Sequence, residues 1–155
     1  MKAQILDSHA KYQEWLDSLH ELTTEQAMSP YMPGKWSPNE IVMHLAEWDR
    51  FTQEERLPNM KEGAKLEKFP AFEEFNANAA ARAQKQTFEE TISYAKQQRK
   101  QITQKLEAIN EQEWTKEFFI GEHALSIQSY FADFAEHDEH HKRQIEGVRG
   151  VKSNE

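Results

Sequence analysis

Hydrophobic residues recur along this chain at alternating spacings of three and four, the period of an amphipathic α-helix. Near the N-terminus the pattern predicts a helix from about residue 5 to residue 22, with inward positions at Ile5, His9, Tyr12, Leu16 and Leu19. The segment SPYMPGKW, residues 29–36, then interrupts the pattern with two prolines and a glycine. We therefore expect the first helix to end before this segment.

The second helix has a clear start signal in the sequence. Ser37 fits an N-cap, Pro38 fits the first helical position, and Glu40 completes a capping box. The helix continues through EIVMHLAEWDRF and is predicted to end at Leu57-Pro58. Residues 59–87 then form a long connection, in which the segment AFEEFNANAAARAQKQ predicts a shorter helix.

Two further long helices are predicted in the second half of the chain. One begins at a capping box of Thr87 and Glu90 and runs to about Ile109, with inward positions at Phe88, Ile92, Ala95, Arg99, Ile102, Leu106 and Ile109. The other runs from about Ser126 to Val148, with inward positions at Ile127, Tyr130 or Phe131, Phe134, His137, His141, Ile145 and Val148.

Four long amphipathic helices predict an all-α fold, a four-helix bundle. A helix of about 20 residues is about 30 Å long, so a neighbour that runs parallel to it needs a return path of that length. The connection between helices two and three provides such a path, which favours an up-down-down-up bundle with a long crossover there. The length of 155 residues fits one domain over residues 1–155.

Composition and charge narrow the possible functions. The formal net charge is −8 and no basic face is evident, so we expect no nucleic-acid partner. No apolar run approaches the roughly 20 residues of a membrane span, and the N-terminus does not resemble a signal peptide, so we expect a cytoplasmic protein without a membrane partner. The absence of cysteine excludes disulfides, cysteine zinc sites and a cysteine nucleophile.

Histidines occupy positions where these helices would normally carry leucine. His137 and His141 are four residues apart on one helical face, so both imidazoles can approach one point. His44 lies on the inward face of the second helix, and it reaches the same depth if helices two and four are antiparallel. Three such imidazoles fit a divalent metal ion, with Zn²⁺ or Ni²⁺ as the leading choices, and leave one coordination position open. His140 is a fallback ligand, three residues after His137.

Other interpretations of these histidines remain open or fail on spacing. They can be core residues whose hydrogen bonds are made to carboxylates or water. A ferritin-like di-iron site needs Glu-x-x-His pairs, but Ile41 and Phe134 stand at the glutamate positions. A metalloprotease helix needs His-Glu-x-x-His, but Asp138 follows His137.

Three charged residues near the predicted site have two interpretations each. Arg99 interrupts the apolar face of the third helix, where it either pairs with a neighbouring carboxylate or binds an anionic group of a cofactor or substrate. Asp133 and Glu40 lie one turn before His137 and His44, where they either accept a hydrogen bond from an imidazole or face solvent.

The segment WSPNEIVMHLAEWD, followed almost a hundred residues later by HDEHHKRQI, resembles the DinB superfamily. The resemblance extends from about Leu6 to Val148. It implies a helical bundle of the kind called putative metal-dependent hydrolases, with metal ligands at His44, His137 and His141. It also implies a homodimer and relatives that use a low-molecular-weight thiol, such as bacillithiol S-transferases.

The sequence thus predicts a metal-dependent enzyme that acts on a small-molecule substrate. The three-histidine site would activate a thiol or water for attack on an electrophile, in a thiol S-transferase or a hydrolase. The alternative is a helical binding module that sequesters a small molecule without catalysis. A purely structural homodimer is a third interpretation.

Overall fold

The computed structural model describes residues 2–30, 32–68 and 72–153, of which residues 148–153 are described by their backbone alone. In chain order the described helices are α1 (Lys2–Ser18), α2 (Thr24–Met28), α3 (Pro38–Phe51), α4 (Phe72–Ala83), α5 (Phe88–Ala108) and α6 (Ile127–Ser153). The four long helices α1, α3, α5 and α6 form the bundle, which confirms the predicted fold class. None of the helices described is long and apolar enough to cross a membrane.

Side-chain caps fix where the central helices begin. Ser37 Oγ accepts a hydrogen bond from the Glu40 backbone N–H, and Glu40 Oε1 accepts one from the Ser37 backbone N–H. Thr87 and Glu90 form the same pair at the start of α5. Both boxes were predicted, because each satisfies backbone donors that a helix start leaves unpaired. A third box at Thr23, which begins α2, was not predicted.

Several helix ends differ from the prediction. After α1 the chain continues as a 3₁₀ turn over Leu19–Glu21. After α3 it continues as a π-helical turn over Thr52–Arg56 and a 3₁₀ turn over Leu57–Asn59, so the predicted end lies inside that last turn. At the end of α6, the Val148 side chain that was assigned to the inward face lies outside the described side chains.

Contacts between the helices give their relative directions. Lys2 Nζ donates to the Ile109 carbonyl at one end of α1, and Gln13 Nε2 donates to the Lys96 carbonyl further along, so α1 and α5 run antiparallel. His44 lies beside His141, whereas Thr52 Oγ1 and the Tyr130 hydroxyl are 3.1 Å apart. The helices α3 and α6 are therefore antiparallel too, which brings His44 to the depth of His141.

A small sheet stands at one end of the bundle and was absent from the all-α prediction. Strand β1 (Lys65–Leu66) pairs in parallel with β2 (Phe118–Ile120), and β2 pairs in antiparallel with β3 (His123–Leu125). Strands of two or three residues are too short for an alternating pattern to reveal them.

Three apolar clusters are found among the described residues, a small one of Met43, Ala79 and Ala83 and two larger ones that a layer of polar residues separates. The first of the larger clusters includes Tyr12, Leu16, Ile41, Val42, Leu45, Ile92 and Ile145. The second includes Ile5, Ile102, Leu106, Trp114, Phe118 and Phe131. The polar layer between these two clusters contains one buried polar residue from each long helix, namely His9, Asp49, Arg99 and Asp138. This layer is next to the histidines of α3 and α6.

Candidate metal centre

The structure brings His44 of α3 together with His137 and His141 of α6. One ring nitrogen from each lies within 4.8 Å of the other two. The ring centroids are 5.7 Å apart for His44 and His137, 5.1 Å for His44 and His141, and 4.6 Å for His137 and His141. The spacing argument predicted this cluster, and its occupation by a metal stays a prediction.

Two of the three imidazoles already have the separation of metal ligands. The Nε2 atoms of His137 and His141 lie 3.2 Å apart. Two nitrogens bound to one tetrahedral Zn²⁺ at about 2.0–2.1 Å are roughly 3.3 Å from each other. The Nδ1 atom of His141 is 2.7 Å from Gln144 Oε1. Because an amide oxygen only accepts, His141 carries its proton on Nδ1 and leaves the Nε2 lone pair for an ion.

Burial keeps the three imidazoles neutral, which is the form that binds a metal. Loss of solvation, and secondly the neighbouring His141 and His137, lower the pKa of His44 to about 3. Loss of solvation likewise lowers the pKa of His141 to about 4. The pKa of His137 is also lowered, mainly by burial, although this ring is partly exposed. At neutral pH, protons therefore do not compete with a metal for these ligands.

The His44 ring is held by aromatic and polar neighbours. Its centroid lies 5.0 Å from that of Trp36 and 6.4 Å from that of Trp48. Its Nδ1 atom is buried and, within the part of the chain that the structure describes, forms no hydrogen bond of normal geometry. The amide of Asn76 in α4 is close enough to affect the pKa of this ring, and its Oδ1 atom is similarly buried. Three neutral imidazoles that converge on one point, one of them with a buried nitrogen that lacks a hydrogen bond of normal geometry among the described residues, fit a divalent cation.

Arg99 is paired with carboxylates, which is the first of its two predicted interpretations, and this corrects the other one, a cofactor-binding role. Its guanidinium donates two hydrogen bonds to Asp49, at 2.9 and 3.1 Å, and two to Asp138, at 2.8 and 2.9 Å. It stacks 3.8 Å from the centroid of the Tyr12 ring and is 0% exposed. A side chain without exposure and with four of its five N–H groups used does not reach a ligand.

The salt bridge has a positioning role that sequence reasoning missed. Asp49 is on α3, five residues after His44, and Asp138 directly follows His137 on α6. Arg99 therefore links the two helices that carry the cluster. Burial, and to a smaller extent the charge of Asp138, raises the pKa of Asp49 to about 6, although Arg99 opposes this shift. The signal that could have revealed this pair was Arg99 itself, because a cation in an apolar stripe requires acidic partners.

The remaining candidate residues, Glu40, Asp133, His140 and His9, do not belong to the histidine cluster. Glu40 is used by the capping box of α3, and Asp133 is exposed, so neither is bonded to an imidazole of the cluster. The fallback ligand His140 is also exposed and stands outside the cluster. His9 is buried, and its Nδ1 atom lies 2.9 Å from Thr103 Oγ1, which makes it a core residue.

A cleft of about 590 Å³ opens beside the cluster, and His137 is part of its wall. Its volume is that of a small-molecule site. The apolar part of the wall comes from Trp48, Phe72, Ile120, Ala124, Leu125, Tyr130 and Phe134. The polar part comes from Arg56, His123, Asp133 and His137. The small sheet thus supplies one side of this cleft through Ile120 and strand β3.

Comparisons with known proteins agree with this picture. The family model of the DinB superfamily matches residues 8–145. Among solved structures, the chain is similar to YfiT from Bacillus subtilis, described as a probable metal-dependent hydrolase with an unusual four-helix bundle topology. The similarity has a TM-score of 0.81 at 14% identity and covers 98% of this chain and 87% of YfiT. At this identity it shows a shared fold. No curated protein matches the chain.

Proposed function

The protein belongs to the DinB superfamily, and we propose that it is a metal-dependent enzyme, most simply a hydrolase, that acts on a small molecule bound beside its histidine cluster. The observation that carries the proposal is the position of His137. This residue belongs both to the group of three converging imidazoles and to the wall of the cleft. A substrate that occupies the cleft therefore contacts the cluster directly.

The chain's own residues have distinct roles in this proposal. His44, His137 and His141 would hold the ion, with Zn²⁺ and Ni²⁺ as the leading candidates. When bound, such an ion lowers the pKa of water or a thiol at its open position and supplies a nucleophile at neutral pH. Gln144 orients His141, and the aromatic walls of the cleft exclude solvent from the substrate. Asp133, a carboxylate in the wall of the cleft, would serve as the proton acceptor.

The choice of nucleophile decides the reaction class. Water makes the protein a hydrolase, whereas a low-molecular-weight thiol such as bacillithiol makes it an S-transferase. A non-catalytic binding module is the second candidate, and the mainly apolar lining of the cleft favours it, because such a lining can retain a ligand without any reaction.

Elemental analysis tests the metal site directly. Untagged protein purified without chelator is compared with His44→Ala and with the double variant His137→Ala/His141→Ala, while His140→Ala serves as the control because it changes an exposed neighbour. We expect about one metal ion per chain in the wild type and in the control, and none in the other two, with helicity by circular dichroism unchanged. Failure of the wild type to bind Zn²⁺ or Ni²⁺ at neutral pH would contradict the proposal.

Turnover separates the enzyme from the binding module. The metal-loaded protein is assayed with p-nitrophenyl esters, and separately with a chlorodinitrobenzene electrophile and bacillithiol or another small thiol. Hydrolysis that disappears in His137→Ala supports the hydrolase, and S-conjugate formation with the same dependence supports the transferase. Binding of aromatic ligands without turnover of either substrate supports the binding module.

A further inference from the structure

Arg56 is a buried cation without an acidic partner among the residues that the structure describes. The residue is 9% exposed, and no carboxylate of the described residues forms an ion pair with it. Arg50, Arg82 and Arg99 all pair with carboxylates. A guanidinium that has lost most of its water and has no counter-charge is costly, so its retention here calls for a ligand.

The surrounding residues fix the position of this guanidinium. Its central carbon lies 5.2 Å from the centroid of the Phe51 ring and 5.8 Å from that of Tyr130. The Tyr130 hydroxyl is in turn 3.1 Å from Thr52 Oγ1. Cation–π contacts hold a guanidinium in place without neutralising it, so its N–H groups stay available for a ligand.

The backbone that carries Arg56 is itself unusual. Residues Thr52–Arg56 form the π-helical turn that follows α3. Such turns are rare in proteins as a whole, and those that occur are often found at functional sites. Here the turn ends at the residue that enters the cleft wall.

Arg56 and His137 line the same cleft, together with the aromatic rings of Trp48, Phe72 and Phe134. A ligand that fills the cleft therefore meets an apolar wall and a fixed cation, and it lies next to the histidine cluster. Asp133 carries the opposite charge but is exposed, so solvent and salt screen its effect on an anion. The chemistry of this lining matches an apolar molecule with one anionic end.

We propose that Arg56 binds the carboxylate of the ligand. The substrate class is then an apolar, preferably aromatic, molecule that carries one free carboxylate and whose other end meets the histidine cluster. That the ligand is a substrate rests on the proposed function. The planar fork of the guanidinium donates two parallel hydrogen bonds to the two carboxylate oxygens. The rings of Trp48 and Phe72 pack against the apolar body.

The binding experiment uses protein from which metal has been stripped and the chelator then dialysed away, because a bound ion would itself attract a carboxylate. The probes are phenylacetate and its neutral isostere phenylacetamide, with dissociation constants measured by titration calorimetry at pH 7.5. The variants are Arg56→Gln, Arg56→Lys and, as a matched control on the preceding helix, Arg50→Gln. Circular dichroism and thermal unfolding establish that each variant is folded.

We expect Arg56→Gln to weaken phenylacetate binding by tenfold or more, Arg56→Lys to weaken it less, and Arg50→Gln to leave it unchanged. Phenylacetamide binding should differ by less than threefold among the four proteins. Equal phenylacetate affinity in wild type and a folded Arg56→Gln would overturn the proposal, as would a wild type that binds the amide as tightly as the acid.

The outcomes also distinguish this inference from the proposed function. Carboxylate binding that depends on Arg56, in a protein that takes up no metal and turns over no substrate, would retain the anion site and reject the enzyme. Metal uptake and turnover with no effect of Arg56→Gln on the KM of either charged or neutral substrates would retain the enzyme and reject the anion site.

Discussion

Arg99 donates hydrogen bonds to both oxygens of Asp138, at 2.8 and 2.9 Å, and Asp138 directly follows His137. The same guanidinium binds both oxygens of Asp49, which lies on the helix that carries His44. One buried cation therefore sets the distance between the two helices on which the histidine cluster depends. The polar layer between the two larger apolar clusters is thus a structural element of the candidate site.

Replacement of Arg99 by Met should strongly destabilise the protein. The substitution keeps much of the side-chain volume but leaves two buried carboxylates, at Asp49 and Asp138, without their counter-charge. Breaking a buried ion pair in this way typically costs about 3–5 kcal/mol in the free energy of unfolding. Urea denaturation of the metal-free protein measures this loss.

The matched control for this prediction is Lys96→Met, on the same helix. Lys96 pairs with Asp17 at the surface, where an ion pair contributes about 0–1 kcal/mol because solvent screens it. A loss below about 1 kcal/mol for Arg99→Met, similar to the control, would mean that the buried carboxylates are neutralised or rehydrated with little cost.

Gln144→Leu should weaken metal binding without removing a ligand. The Gln144 carboxamide accepts the Nδ1 proton of His141, so its loss leaves that N–H unpaired and the ring free to rotate. Loss of such a supporting hydrogen bond typically lowers metal affinity by about 10- to 100-fold. Competition with a chromophoric chelator measures the change, and Gln144→Glu should retain most of the affinity.

An exposed glutamine provides the comparison for this variant. Gln104→Leu makes the same change on the surface of α5, away from the cluster, and should leave the metal affinity unchanged. If both leucine variants bind metal as the wild type does, the hydrogen bond to Gln144 has no part in holding His141.

Much of the fold could be predicted because its signals are local. The capping boxes at Ser37 and Thr87 depend on residues three positions apart, and the histidine pair on α6 depends on a spacing of four. The convergence of His44 with that pair required one further step, an antiparallel α3 and α6, which the length of the connection after α3 indicated. The contacts of Thr52 with Tyr130 show that direction.

The remaining features depend on contacts between distant residues, which spacing alone does not contain. Arg99 was identified as an anomaly in an apolar stripe, but its partners lie 50 and 39 residues away along the chain. Arg56 gave no signal, because an arginine at the end of a predicted helix normally faces solvent. The π-helical turn that directs it into the cleft differs from an α-helix by one hydrogen-bond step, which the hydrophobic pattern does not resolve.

Gly121→Ala should destabilise the turn that supports the cleft wall. Gly121 joins β2 to β3 with φ +60°, a left-handed conformation that costs a residue with a Cβ atom roughly 1–2 kcal/mol. An added Cβ atom would also lie 2.5 Å from Lys68 Cε, although that flexible side chain can move aside. Thermal unfolding should show a lower midpoint for this variant.

Gly147→Ala provides a control for which the expected change in stability has the opposite sign. Gly147 is helical and a Cβ atom there meets nothing within 4 Å, so alanine should raise stability by about 0.5–1 kcal/mol. If Gly121→Ala proves as stable as the wild type, the turn has adopted another conformation without cost.

The stability of the metal-free protein should depend on His9 between pH 6.5 and pH 4. Burial, and secondly the charge of Arg99, lower the pKa of His9 from 6.5 to about 3 in the folded protein. Below pH 6.5 the unfolded chain therefore binds a proton at His9 that the folded chain excludes. The contribution of His9 to the free energy of unfolding is fully present above that pH and is lost as the pH falls. The loss attributable to one such group is at most about 1.4 kcal/mol per pH unit.

His9→Asn isolates this contribution, because the asparagine Nδ2 keeps a donor for Thr103 Oγ1 and carries no titratable group in this range. His44 and His141 also have lowered pKa values and titrate in both proteins, so the difference between the two unfolding curves belongs to position 9. We expect the wild type to lose stability more steeply than His9→Asn as the pH is lowered from 6.5 to 4.5, measured by urea denaturation at each pH. Parallel curves would mean that the folded protein protonates His9 near its ordinary pKa, and the polar layer would then have to open to admit the charge.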